Sequence, residues 1–183
     1  MPQIPLPDPP LADEAIVLRP WRADDLAELV AAVHDPEVGR WTTIPFPYTE
    51  RDGRQYLGRI ESDRLAGREL GLAATEPGNG RLLGGFGLSA LDWQHRKGEI
   101  GYWVAAGARR RSVGTRAVRL LSRWALTALG LERVELLVNP ENEASQRLAL
   151  RAGFTREGVL RGYRLRKGRR EDLVMFSLLR ADP

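Results

Sequence analysis

Glu99-Ile100-Gly101-Tyr102-Trp103-Val104 runs into Ala105-Ala106-Gly107-Ala108. Arg109-Arg110-Arg111-Ser112-Val113-Gly114-Thr115 follows, and then a periodic segment from Arg116 to Leu129. The first six residues read as a strand. Ala117, Leu120, Leu121, Trp124, Ala125 and Leu129 recur at helical spacing as one apolar stripe, and Gly130 stops it. A strand feeding a small, basic, glycine-containing turn into a helix start suits phosphate. The first amides of a helix lack intrahelical partners, and the helix dipole adds positive potential there. Ser112 and Thr115 add hydroxyl donors and the arginines add charge. The turn is not a Walker loop, because no Gly-Lys-Ser/Thr ends it. It is not a dinucleotide fingerprint either, because the Gly-x-Gly-x-x-Gly spacing is missing. A loop that only keeps the helix end soluble is the plainer alternative.

Outward from that stretch the pattern is mixed. Ala15-Ile16-Val17-Leu18 predicts a strand stopped by Pro20, and 24–35 a helix with Leu26, Leu29, Val30 and Val33 on one face. A loop carrying Trp41, Pro45, Phe46, Pro47 and Tyr48 precedes a helix capped by Thr49 and running to about Leu65. Segments 70–75 and 82–91 read as strands joined by Pro77-Gly78-Asn79-Gly80. Val134, Leu136 and Val138 alternate on a further strand. Asn142 caps a helix over 144–152, and 154–160 and 173–179 are closing strands around a basic turn. Strands precede, separate and follow helices, which argues for mixed α and β rather than strict βαβ repetition. The expected organisation is a Pro-rich tail, extended or mobile, over residues 1–13, followed by one domain over 14–183.

Composition narrows the chemistry. The chain has 183 residues, no cysteine and two histidines, which excludes a disulfide scaffold, a thiolate metal site, a cysteine nucleophile and a histidine-rich metal cluster. No apolar run approaches the roughly 20 residues of a membrane span, and the N-terminus lacks the pattern of a signal peptide. The expectation is a cytoplasmic protein without a metal. The formal charge is +4. Segment 109–123 has six arginines and no acid, and 161–172 has six basic residues against Glu171 and Asp172. A clustered positive field favours a polyanion: nucleic acid, a phosphorylated cofactor or an acidic surface. Solvated helix and hairpin faces would give the same pattern.

The sequence resembles the GNAT superfamily of N-acetyltransferases. The residues that carry the resemblance are Glu99 to Val104, the Arg-rich turn, Leu129-Gly130-Leu131-Glu132-Arg133-Val134-Glu135, Asn139-Pro140-Glu141-Asn142-Glu143-Ala144-Ser145 and Ala152-Gly153-Phe154-Thr155-Arg156-Glu157-Gly158. It is similar to the RimJ/RimL branch in particular, to which Leu18-Arg19-Pro20-Trp21 and Asp35-Pro36-Glu37-Val38 also conform. Each short motif is weak; their order and spacing over about 15–180 are specific. The resemblance implies an α+β, three-layer fold, with a mixed, mostly antiparallel twisted sheet, helices on both faces and a splayed cofactor cleft. It implies acetyl transfer from acetyl-CoA to a primary amine, either a protein N-terminal α-amine or a small-molecule amine. A catalytically silent CoA-binding protein and a basic nucleic-acid-binding module are the alternatives. The acceptor stays open, and homodimerisation by sheet-edge or C-terminal pairing is compatible with the pattern.

The family's pyrophosphate loop, Gln/Arg-x-x-Gly-x-Gly/Ala, falls on Arg109, Arg110, Arg111, Ser112, Val113 and Gly114, with Thr115 next. Ser112 stands where the family has its middle glycine. If that position needs a positive φ, Ser112 is strained there; if not, its hydroxyl is a phosphate donor. The resemblance implies that the backbone of Trp103, Val104 and Ala105 pairs with the pantetheine arm, and that Asn142 holds the arm from the other side. The acceptor amine is protonated near neutral pH, so a base is needed, and Glu99 is the candidate. A strand-end carboxylate paired with Arg or Lys is the alternative. A backbone N–H near Val104 would serve the oxyanion. Many members use a Tyr in the last helix to protonate sulfur; here that position is Ala149. The branch points instead to Ser145, as donor or water relay, which could equally be a first-turn helix cap. Tyr102 and Tyr163 are in reserve, Tyr102 reading more as a core aromatic. His34, Trp41, Tyr48 and Tyr102 are the candidates for contact with the acceptor.

Overall fold

The structure, a computed structural model, describes residues 1–166 and 168–182. Lys167, counted in the basic turn, lies outside the described residues. The strands are β1 (Leu11–Ala12), β2 (Val17–Pro20), β3 (Leu70–Thr75), β4 (Leu82–Asp92), β5 (Lys97–Val104), β6 (Arg133–Val138), β7 (Thr155–Arg166) and β8 (Arg169–Leu179). The helices are α1 (Leu26–Val33), α2 (Pro36–Trp41), α3 (Glu50–Leu65), α4 (Val113–Thr127) and α5 (Glu143–Arg151). One sheet orders the strands β1-β2-β3-β4-β5-β6-β8-β7. Every neighbouring pair is antiparallel except β5 with β6. The expected mixed, mostly antiparallel sheet with helices on both faces is what the chain builds.

Two apolar layers hold it. On one face Ile100, Phe86, Leu88, Leu136 and Phe176 pack against Val113, Ala117, Leu121 and Ala125 of α4 and Ala149 of α5. Leu121 is fully buried, and burying such a side chain contributes about 1.5–3 kcal/mol. On the other face Leu29, Val33, Val38, Tyr48, Ala73 and Leu82 form a second cluster, edged by Trp21, Tyr56 and Trp103. No helix among the described residues is long and apolar enough to cross a membrane.

Three elements differ from the expectations. The first thirteen residues are extended but held: Ile4 is fully buried, its carbonyl accepts from Arg64 Nη1 at 2.6 Å, and β1 pairs with β2. The stretch after Asp35, read as loop, begins with helix α2. Asp35 Oδ1 accepts the Glu37 N–H at 2.9 Å with Pro36 at the first helical position, a local start signal the loop reading overlooked. Helix α4 starts at Val113 rather than Arg116, because a left-handed Ser112 turns the chain straight into it.

Candidate active site

The site begins where β5 and β6 part. The two strands pair at Lys97 with Arg133, Gly98 with Val134 and Glu99 with Glu135, and no further. Beyond Glu99, β5 stays with β4 and β6 stays with β8, so a wedge opens between parallel strands. The resulting cleft has a volume of about 1150 Å³ and passes between the α1–α3 face and the α4–α5 face.

The polar backbone at the wedge is defined by strand alternation. The Ala105 N–H donates to Leu83 O at 2.9 Å, and Trp103 O lies against Gly84, where an added Cβ would come within 2.4 Å of it. Both groups therefore face β4, and the Val104 amide between them faces the cleft. Its carbonyl accepts from Arg109 Nε at 3.2 Å. Ala105, expected to meet the pantetheine arm, has its amide committed to β4 and does not line the cleft. Trp103 lines it through its ring, which lies over Gly85 and stacks on Trp21 at 6.5 Å.

Arg110 and Ser112 each have φ of 60°. Left-handed residues at alternate positions turn successive amides toward one concavity, the geometry of an anion-binding nest. Ser112 thus occupies a true glycine position, and its side chain makes no capping bond. Gly114 packs closely for a different reason: a Cβ there would lie 2.5 Å from Leu148 Cδ1, so a larger residue would have to displace that side chain where α4 meets α5. Val113, Gly114 and Thr115 line the cleft, as do Arg109 and Arg110. The three arginines differ in use. Arg109 is ion-paired with Asp35. Arg111 is bound to Glu76 at 2.7 Å, away from the cleft. Arg110 has no carboxylate partner among the described residues.

Glu99 stands at the fork. Its side chain is 21% exposed, and Arg164 Nη2 donates to its Oε1 at 3.3 Å. Burial holds its carboxyl above the ordinary value, Arg164 opposes that rise, and Glu135 adds to it. Opposite, Asn142 caps α5, its Oδ1 accepting the Ser145 N–H at 3.0 Å. The Ser145 hydroxyl meets the Tyr102 hydroxyl at 2.6 Å. Burial pushes the Tyr102 phenol up to about 12, with the bond to Ser145 opposing, so the ring stays protonated near neutral pH. Tyr102 also stacks on Phe86 at 5.6 Å. Its expected reading as a core aromatic is half the picture: the ring packs, and the hydroxyl reaches Ser145 at the cleft.

On the acceptor side Trp41 and Tyr48 line the cleft. Trp41 Nε1 donates to Glu37 Oε2 at 2.9 Å. His34 does not line it: the ring is exposed at the end of α1, with Nδ1 3.4 Å from Tyr48 O. As the C-cap residue of α1, just past buried Val33, His34 sets its ring 6.0 Å from that of Phe46 instead. Arg164 went unrecognised within a basic turn, since only the β7–β8 pairing carries it back to Glu99.

The cleft brings left-handed loop residues, the half-buried Glu99 carboxylate and the Tyr102–Ser145 hydroxyl pair to one space, an arrangement compatible with acyl transfer from a phosphorylated donor. The acetyltransferase (GNAT) domain family matches residues 15–155, and the chain belongs to it. Over 173 residues it is 31% identical to an N-acetyltransferase of Bacillus licheniformis, p20, whose name marks it as uncharacterised, covering 94% of this chain and 97% of that one. It is 33% identical over 172 residues to a Bacillus subtilis protein, YdaF, provisionally named a ribosomal N-acetyltransferase, covering 91% and 90%. RimJ of Mycobacterium smegmatis, solved in complex with CoA-disulfide, superposes with a TM-score of 0.80 at 22% identity, covering 90% of this chain and 81% of that one. The protein is an N-acetyltransferase that takes its acetyl group from acetyl-CoA and delivers it to an amine.

Proposed function

We propose that Glu99 is the general base, that the Val104 N–H receives the developing oxyanion, and that Ser145, backed by Tyr102, serves the departing sulfur. The single observation behind this assignment is the fork. Glu99 is the last residue of β5 still paired to β6, so it sits at the mouth of the gap whose far wall carries Ser145. An amine near neutral pH is an ammonium with pKa about 8 to 10. It loses one proton to solvent before attack and a second, to Glu99, as the C–N bond forms. The C–S bond then breaks, and the thiolate takes a proton through Ser145. A serine alone is a poor acid; the buried phenol of Tyr102, 2.6 Å away, lets the serine give its own proton while accepting another, and the cycle closes when Glu99 releases its proton to solvent and the phenolate regains one through the serine. The nest of Arg110 and Ser112, with Thr115 and the α4 amides, would hold the donor's pyrophosphate, and the Asn142 amide nitrogen would hold its arm.

The basic segments fit this reading better than nucleic-acid binding. Much of their charge is internally paired: Arg109 with Asp35, Arg111 with Glu76, Arg116 with Asp13 and Glu14, and Arg166 with Glu171. The same reading keeps the protein cytoplasmic. It leaves the edge strand β7, with Val159, Tyr163 and Leu165 exposed, as the place where a second copy would join the sheet.

The decisive experiment is Glu99→Gln. Loss of a general base lowers turnover about 10²–10⁴-fold, and acetyl-CoA affinity measured by calorimetry should stay within about twofold. Affinity and turnover falling together would refute the assignment.

A further inference from the structure

Arg164 is placed by a distortion. Between Leu160 and Arg164 the β7–β8 register shifts, Gly162 takes φ of 55°, and its N–H donates to Asp172 Oδ1 at 2.7 Å. A bulge re-aims the side chains that follow it. Arg164 pairs across the ladder with Glu171, but that carboxylate is gripped at both oxygens by Arg166, at 2.6 and 2.7 Å. Arg164 enters the cleft instead, 29% exposed, and meets Glu99 through one long hydrogen bond. A guanidinium carries five donors in a planar fork. A single 3.3 Å contact leaves most of them available beside the catalytic carboxylate.

Resting on the assignment of Glu99 as base, we propose that Arg164 selects the acceptor: its guanidinium binds a carbonyl or carboxylate oxygen on the carbon next to the one bearing the reacting amine. An α-amino nitrogen and the oxygen of its own carbonyl group lie about 2.7 to 3.6 Å apart, from standard bond lengths. That spacing matches the 3.3 Å between Glu99 Oε1 and Arg164 Nη2. The acceptor therefore bridges the pair, its nitrogen on Glu99 and its oxygen on Arg164. A peptide N-terminus and a free amino acid both have the required oxygen. A simple alkylamine does not. A polyamine lacks it as well and brings a second cation toward the arginine.

The test compares phenylalaninamide, phenylalanine and phenethylamine, which share a side chain and an amine and differ only at the neighbouring carbon. Release of CoA thiol gives kcat/KM, corrected for each acceptor's own free-amine fraction, since a peptide-type α-amine titrates about two units below an alkylamine and a free amino acid lies between them. The wild-type protein should favour the amide or the acid over phenethylamine at least tenfold. The more favoured of the two separates a peptide N-terminus from a free amino acid as the natural source. Arg164→Ala should collapse the preference toward one, and Arg164→Lys should retain part of it. A wild-type preference near one would overturn the proposal. So would an equal fold-loss on all acceptors in Arg164→Ala, which would make Arg164 a support for Glu99 only. Glu99→Gln run on the same three acceptors keeps the two readings apart: thiol release retained at the wild-type rate would strike the Glu99 assignment, whatever the acceptor preference.

Discussion

Ser112→Gly tests the cofactor loop at its strained point. A left-handed backbone costs an L-residue about 1–2 kcal/mol, and Ser112 has φ of 60° with no capping hydrogen bond from its side chain in compensation. Glycine removes that cost but gains unfolded-state entropy worth about 0.4–1 kcal/mol. The net expectation is a stabilisation of about 0.5–1 kcal/mol, read as a higher urea midpoint at unchanged slope. Ser112→Ala keeps the strain and loses only the hydroxyl, so its midpoint should match wild type within about 0.5 kcal/mol. Calorimetry with acetyl-CoA then isolates the hydroxyl. If the amide nest does the binding, Ser112→Gly and Ser112→Ala should both hold affinity within about threefold. A Ser112→Gly protein less stable than wild type would refute the strain argument. A tenfold affinity loss in both variants would show that the hydroxyl, not the nest, holds phosphate.

Arg110→Ala should weaken acetyl-CoA binding more than Arg111→Ala, by a margin that narrows as salt rises, because Arg111 is already spent on Glu76; calorimetry at low and high salt decides it. Tyr102→Phe and Ser145→Ala should each lower kcat, and the double variant should be little worse than the worse single one, since they break the same bond. Equal and independent losses would separate the two hydroxyls. Arg133 holds both oxygens of Glu157 at 2.7 Å and depresses its carboxyl to about 2. A lowered carboxylate stabilises the fold above its unfolded pKa and stops doing so as pH falls toward the folded value. The stability gap between wild type and Glu157→Gln, measured by urea unfolding, should therefore be full above about pH 5 and shrink toward pH 2.

Local information made the cofactor half of the site legible. The strand reading of β5, the apolar stripe of α4 and the basic turn between them, read as a phosphate end, all rest on residues close in sequence. Asn142 and Ser145 were legible for the same reason, as a cap and its first turn. The acceptor half was not. Trp41 and Tyr48 reach the cleft, whereas His34 lies outside its lining, because the way the chain leaves α1 at its C-cap is set by the tertiary packing beyond it. That the Ala105 amide is taken by β4 was equally out of reach, because a single strand does not reveal which amides its neighbour takes.

The sequence by itself determined most element types and their order, the apolar stripe of α4 and the absence of cysteine chemistry; whether Ser112 takes a left-handed backbone was left open until the structure gave its φ of 60°. Tertiary structure alone decided where β5 leaves β6, which of the three loop arginines stays unpaired, and that Tyr102 meets Ser145 across 43 positions in the chain. It also decided that Arg164 arrives beside Glu99 from 65 residues away. The physical reason is the same in each case. Periodicity and capping are set by neighbours a few residues apart, whereas the pairing of charges and hydroxyls depends on sheet register, bulges and burial, which exist only once distant strands have met.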